Sequence, residues 1–293
     1  MSLLLDSIFT GVATGMIFGA VALALAVIHN GTGVMNLAQG ELAVLSAYLC
    51  WQFIDWGVPF AGAALAAAGA SFVIGCLVER VVMRRLEGGP VLNLLIVTTA
   101  LFFAVQSLIR FIWGNYPKQV PNPFGTSVFE FGGAYLTAQQ IGIVATTAAA
   151  AAAFAALLRL TPLGLKLRAA AANPDSARYL GVNVGGMQAL SWGLASVAGA
   201  SAGIASAPIT GVAPEMMSSV ILMAFAAMII GGINSLFGAV FGGVMLGITT
   251  NLAVAFVPFM DSSISSIVPF IVILLVLLFR PHGLFGTASA VRA

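Results

Sequence analysis

Asn36, Gln39 and Glu41 lie inside one apolar stretch, Gly31-Thr-Gly-Val-Met-Asn-Leu-Ala-Gln-Gly-Glu-Leu-Ala-Val-Leu-Ser-Ala-Tyr48. Two amides and a carboxylate at this spacing fall within about two helical turns. Such a group can line the path of a polar solute, carry a proton, or hold backbone groups freed where a helix is interrupted. The carboxylate is the costly member: at the centre of a membrane helix it costs roughly 2.5–3.5 kcal/mol on insertion scales. Glycines at 31, 33 and 40 point to an interrupted segment rather than a plain helix.

Other polar groups within apolar runs are Asn93, Thr98, Thr99, Gln106, Asn234, Ser235 and Asn251. Singly, each reads as an interhelical hydrogen bond. A second glycine-flanked break, Gly231-Gly-Ile-Asn-Ser-Leu-Phe-Gly238, lies in the second half. Two breaks, one per half, are the pattern of a mid-membrane pathway. The candidate pathway residues are therefore Asn36, Gln39, Glu41, Asn93, Thr98, Asn234 and Ser235.

Covalent chemistry finds little support. Gly199-Ala-Ser201-Ala-Gly203 fits the G-x-S-x-G pattern of serine hydrolases. That motif needs a strand-to-helix turn and a histidine base. Here it falls in a continuous apolar run, where small residues explain it as helix packing. The histidines are His29 and His282, each at the end of an apolar run, and no His/Cys spacing suits a metal. Neither lysine, Lys118 after Pro117 or Lys166 after Leu165, belongs to a Gly-Lys-Ser/Thr phosphate loop. Any ATP hydrolysis is expected on another chain, and no catalytic residue or cofactor is assigned to this one.

The elements that must position these residues are membrane helices. The chain has 293 residues, is 60% hydrophobic and 7% charged, and has a mean hydropathy of +1.08. A soluble domain is about 25% charged. The long runs do not alternate as barrel strands do. A net charge of +2 is too small to imply nucleic-acid binding. Cys50 and Cys76 read as small buried hydrophobes. The first residues carry no Lys or Arg, so a cleaved signal peptide is not expected. Glycines at 11, 15 and 19, at 199 and 203, at 238 and 242, and at 243 and 247 recur every four residues, as in closely packed membrane helices.

The hydrophobic spans are 8–28, 33–54, 58–78, 91–109, 138–158, 188–209, 216–233, 236–257 and 264–279. The expected fold is an all-α polytopic membrane protein: one transmembrane domain over 1–293, with about eight or nine helices and broken or re-entrant pieces. Arg80, Arg84 and Arg85, then Arg159, Lys166, Arg168 and Arg178, then Arg280 and Arg292, fall on one side of the alternating spans. Arg110 and Lys118 fall on the other. The basic side is cytoplasmic. This places the C-terminus inside, the proline-containing loop 110–137 outside, and the N-terminus outside for nine crossings. The cytoplasmic loop 159–187 is too long for a turn. Asn173 as N-cap, Pro174 at the first helical position and Gly181 as a stop predict a short helix suited to docking on another protein or lying on lipid headgroups.

With these segments in view, the chain resembles the permeases of branched-chain amino acid ABC importers. The resemblance rests on Val34-Met-Asn-Leu-Ala-Gln-Gly-Glu-Leu-Ala-Val-Leu-Ser-Ala-Tyr48, Glu79-Arg-Val-Val-Met-Arg-Arg-Leu86 and Thr161-Pro-Leu-Gly164. It continues through Ala170-Ala-Ala-Ala-Asn-Pro-Asp175, Leu180-Gly-Val-Asn183, Ile230-Gly-Gly-Ile-Asn-Ser-Leu-Phe-Gly-Ala-Val-Phe-Gly-Gly243 and Phe279-Arg-Pro-His-Gly-Leu-Phe-Gly286. These matches are collinear, and the length is similar to that of the shorter, LivH-type subunit. The resemblance implies a bacterial inner-membrane complex containing a second, LivM-type permease, two ATPase subunits that hold ATP and Mg, and a periplasmic binding protein. It makes Arg168, Asn173, Pro174, Asp175, Arg178 and Gly181 the coupling segment that meets the ATPase.

Gln39 stands where many relatives have His, Asn234 where they have Gly, and Ser46 where Gly precedes Ala-Tyr. These departures leave open leucine-like amino acids, urea, short amides and aromatic acids as substrates. Two further classes are distinguishable by experiment: a stand-alone transporter with Glu41 as proton carrier, and an intramembrane serine protease acting through Ser201.

Overall fold

A computed structural model describes residues 2–86, 89–257, 267–280 and 282–286, and the statements below concern those residues. The helices are α1 (Ser2–Thr32), α2 (Gln39–Asp55), α3 (Phe60–Val81, then a 3-10 turn, Met83–Leu86) and α4 (Val91–Trp113). Two strands follow, β1 (Val128–Phe131) and β2 (Ala134–Thr137). Then come α5 (Ala138–Leu160), α6 (Pro162–Ala172), α7 (Pro174–Tyr179) and α8 (Val184–Thr210), and finally α9 (Ser218–Gly231), α10 (Leu236–Phe256) and α11 (Val268–Phe279). Helices α1, α3, α4, α5, α8 and α10 are long and apolar enough to cross a membrane, and α9 and α11 are shorter apolar helices. With α2 they match the nine expected spans, although 264–266 of the last span and Arg292 lie outside the described residues. The chain is a polytopic α-helical membrane protein.

Contacts between distant residues define two ends of the bundle. At the hairpin end, Tyr135 N donates to Asp6 Oδ1 at 2.7 Å, which fixes the start of α1 beside β2. Lys118 and Val212 exchange backbone hydrogen bonds of 2.9 and 2.8 Å, and Arg110 pairs with Glu215 at 2.7 Å. At the α6–α7 end, Asn30 Nδ2 donates to Asn234 O at 3.3 Å. Leu284 N and Phe285 N donate to Ile230 O and Gly231 O at 2.8 and 3.0 Å. Buried Glu79 pairs with Arg84 at 3.1 Å, and Arg84 Nη2 also donates to Gly185 O at 2.6 Å, which ties the end of α3 to the start of α8.

α1 and α8 form the centre. α1 crosses α10 on glycine: a Cβ built on Gly15 would lie 2.7 Å from Val244 Cα, and one on Gly11 2.7 Å from Ile248 Cα. α8 packs on α1, α2, α3 and α5, and Gly203 leaves room for the Ala43 carbonyl of α2. The four-residue glycine spacing is thus used for close helix approach, as expected. Ser201 lies within α8 and donates to Ala198 O at 2.7 Å. The hydrolase-like motif therefore sits on a continuous helix.

Both loops hold more structure than expected. The 110–137 segment contains an antiparallel hairpin in which Glu130 faces Tyr135, turned by Gly132 and Gly133 at φ of 63° and 80°. Two successive positive φ values are what a two-residue hairpin turn demands. The 159–187 segment holds two helices rather than one. Thr161 Oγ1 caps α6 by accepting from Gly164 N at 3.2 Å. Asn173 Oδ1 caps α7 by accepting from Ser176 N at 2.9 Å. Each cap precedes a proline at the first helical position, and Gly181, at φ 79°, ends the second helix.

Candidate functional site

The break between α1 and α2 is built from two amides. Asn36 Oδ1 accepts from Ala38 N at 3.1 Å, and Asn36 Nδ2 donates to Gln39 Oε1 at 3.2 Å. Gln39 Nε2 then donates to Ala195 O at 3.1 Å. Ala195 lies near the middle of α8, so the start of α2 is held deep in the bundle and residues 33–38 reach it without helical structure. Both amides are fully buried. In an apolar interior every freed backbone group needs a partner, and Asn36 supplies one to Ala38, the residue just before α2. Gln39→Leu is therefore expected to lower stability by about 1–3 kcal/mol. Adding Asn36→Ala in that background should cost less than Asn36→Ala alone, because the two share a bond. Thermal unfolding of the purified single and double variants checks this; strict additivity would show that the pair does not act as one unit.

Glu41 does not hold the break. It falls in the first turn of α2, which has no side-chain capping bond, and Oε2 is buried with no hydrogen-bond partner. The residue is 1% exposed. The positive end of the α2 dipole favours a negative charge there, but the carboxylate is not consumed by structure. Glu41, Leu45, Tyr48 and Gln52 follow at helical spacing on one stripe. Tyr48 stacks on Trp113 of α4 with ring centroids 5.1 Å apart, and Trp113 Nε1 donates to Gln52 Oε1 at 2.9 Å. The Tyr48 hydroxyl, like Glu41 Oε2, is buried without a partner. The stripe thus leads from the hairpin end, where Arg110 pairs with Glu215, down to the carboxylate beside the break.

The remaining candidates lie elsewhere. Thr98 is buried in α4 and donates to Leu95 O of its own helix at 3.1 Å. Asn93 is exposed at the start of α4. Asn234 and Ser235 occupy the α9–α10 turn beside Asn30, with Ser235 Oγ accepting from Gly238 N at 3.0 Å as the N-cap of α10. The second glycine break is therefore a turn at the α6–α7 end and not a partner of the first at mid-depth. Depth, which local sequence does not carry, separates the two. The Glu79–Arg84–Gly185 clamp and the Arg110–Glu215 pair had no assigned role in the sequence reading. The Arg84–Gly185 and Arg110–Glu215 contacts join residues 101 and 105 positions apart, so no short-range signal announces them.

α7 presents a distinct surface. Ala177 turns inward against Ala170 and Val184, whereas Tyr179 and Leu180 are 92% and 82% exposed. Arg178 and Asp175 form a 3.0 Å pair on the outside. Two large apolar side chains beside a charged pair, at the end of a six-residue helix, have the character of a contact surface.

A family model described as "Branched-chain amino acid transport system / permease component" matches residues 7–277. The chain belongs to this family. The permease is 27% identical over 297 residues to the high-affinity branched-chain amino acid transport system permease protein LivH of Escherichia coli K12, covering 96% of this chain and 95% of that one. It is equally similar to BraD of Pseudomonas aeruginosa, 27% over 302 residues with 96% and 95% covered. A probable branched-chain amino acid permease of Methanocaldococcus jannaschii is 26% identical over 285 residues, with 90% and 87% covered. Among solved structures, the permease is similar in fold to PsaBC from Streptococcus pneumoniae in complex with Fab, with a TM-score of 0.50, 16% identity, and 96% and 93% of the two chains covered.

Proposed function

We propose that this permease is the membrane subunit of an ATP-driven importer for branched-chain or other hydrophobic amino acids in a bacterial inner membrane. The observation that carries the reading is the family match across nearly the whole chain. The exposed α7 surface supports it, since a permease without a phosphate loop needs a place to receive work from an ATPase. On this reading the hairpin end is external and the α6–α7 end cytoplasmic. Arg80, Arg84, Arg85, Arg159, Lys166, Arg168, Arg178 and Arg280 lie toward the latter, as the positive-inside rule requires. The last described residues then lie inside.

The chain makes and breaks no bonds. Two ATPase subunits hold ATP and Mg and meet Arg168, Asn173, Pro174, Asp175, Arg178 and Gly181. A second permease of the LivM type completes the pathway, and a periplasmic binding protein delivers substrate to the hairpin end. Asn36 and Gln39 keep the entrance of α2 open, Glu41 faces the solute, and Asn93, Asn234 and Ser235 stand near the cytoplasmic exit.

The test is uptake of labelled leucine into proteoliposomes holding both permeases and the ATPases, with ATP sealed on the ATPase side and the binding protein on the other. ATP-dependent leucine uptake is expected. Uptake of urea, a short amide or an aromatic acid in place of leucine would reject the substrate assignment. Glu41→Gln is expected to retain uptake that a protonophore does not affect. Uptake without any ATPase, abolished by Glu41→Gln, would instead make this a proton-coupled transporter.

A further inference from the structure

α3 and α5 both pack on α8 and leave between them a cleft of about 210 Å³, bounded by Phe60 and Ala68 of α3, Thr146 and Ala150 of α5, and Ser201 of α8. Phe124, from the segment before the hairpin, closes the top by lying over Gly142, where a Cβ would strike its ring. Leu65, on the rim, is 76% exposed, so the cleft opens on the outer flank of the bundle.

One polar side chain in this lining is unexplained. Gln139 is 8% exposed, and neither its amide nitrogen nor its amide oxygen has a hydrogen-bond partner. The hydroxyls elsewhere in the lining are already committed: Thr146 donates to Gly142 O at 2.7 Å and Ser201 to Ala198 O at 2.7 Å. An orphaned buried amide in an apolar cleft is a group waiting for a ligand atom. Its depth identifies the atom. Gln139 is the second residue of α5, at the boundary between the hairpin and the first apolar turn. From Gln139 to Ala150 the cleft descends about 16 Å along α5 at 1.5 Å per residue. A polar donor and acceptor at the interface, followed by a narrow apolar slot, is the profile of a lipid ester and the chain attached to it. The volume is below the ~300–1,000 Å³ of pockets for drug-sized solutes, which favours a single chain over a whole compact ligand.

We infer that the cleft between α3, α5 and α8 is a binding site for one acyl chain of a diacyl phospholipid, with Gln139 Nε2 donating to the chain's ester carbonyl. This site is separate from the transport path and gives the hydrolase-like serine segment a role as cleft wall.

The test uses the purified transporter in detergent, depleted of lipid and then offered a diester phospholipid or its diether analogue, which lacks the carbonyl. Native mass spectrometry counts the lipids retained. Wild type is expected to hold one lipid per permease with about fivefold preference for the diester, the worth of one hydrogen bond. Gln139→Leu should erase the preference while keeping the lipid. Ala150→Phe, which fills the slot, should lose both lipids. Ala150→Phe with undiminished retention, or a wild type indifferent to the ester, would overturn the assignment. So would an Ala150→Phe permease that keeps its lipid-binding count but no longer assembles with its partner subunits, since the occupant would then be protein.

Discussion

Gly243→Ala is expected to leave almost no folded permease in the membrane. The new methyl carbon would fall on the backbone of Gly19, with the Gly15 carbonyl 2.8 Å away. Backbone atoms of a packed helix cannot step aside as a side chain can, so α1 and α10 must separate. α1 is the most buried of the long helices, and its displacement uncouples α8, α9 and α5, which all lean on it. Overpacking costs typically about 1–3 kcal/mol and more when no atom can yield, so at least about 3 kcal/mol is expected here. Gly69→Ala is the control. It too lies in a membrane helix, but a Cβ there meets nothing within 4 Å, and the helical preference for alanine should make it neutral or stabilising by up to about 1 kcal/mol. Thermal stability by size-exclusion chromatography of the two variants decides the matter. A Gly243→Ala protein as stable as Gly69→Ala would mean that α1 and α10 are not in this contact in the membrane.

These two glycines also show what can be read from the sequence. The four-residue spacing at 11, 15 and 19 and at 243 and 247 announces a close crossing, but not that these two sets cross each other. Spans were legible because burial in lipid demands length and apolarity, and both are local. The caps at Thr161 and Asn173 were equally legible, each with a proline after it, although only the second was read as a helix start. Phe131-Gly-Gly-Ala134 between alternating residues also carried a hairpin signal that the prolines upstream masked. The candidate site was legible in part. Asn36, Gln39 and Glu41 stood out by chemistry, and the structure separates their roles: the amides bond to the chain, and the carboxylate stays unbonded. The bond from Gln39 to Ala195 spans 156 positions, and nothing near either residue encodes it. The resemblance of Gly231–Gly238 to the first break failed as a guide for the same reason, since two glycines serve a turn at the end of a bundle as well as a break at its middle.

Gly181→Pro and Arg178→Glu are expected to sever ATP hydrolysis from transport while leaving the permease inserted. Gly181 sits at φ 79° and its N–H donates to Arg178 O at 3.0 Å. Proline is fixed near φ −65° and has no N–H, so the end of α7 must turn another way. It also disfavours the helical region for the preceding residue, and that residue is Leu180, one of the two exposed apolar side chains. Arg178→Glu leaves the backbone alone and sets a carboxylate beside Asp175. Their pairing is at the surface, with side chains 57% and 82% exposed, so its loss should cost the fold little. Neither change touches the buried side of α7, where Ala177 meets Ala170 and Val184. The two variants therefore alter the same outward surface by independent means. Substrate-stimulated ATPase activity of the reconstituted complex should fall about 5- to 150-fold, the range of a coupling free energy of about 1–3 kcal/mol. Basal hydrolysis and the amount of inserted permease should hold. Normal stimulation in both would place the ATPase contact elsewhere on the α6–α7 end. A fall in Gly181→Pro alone would show that α7 acts through its shape, with the charge of Arg178 taking no part in the contact.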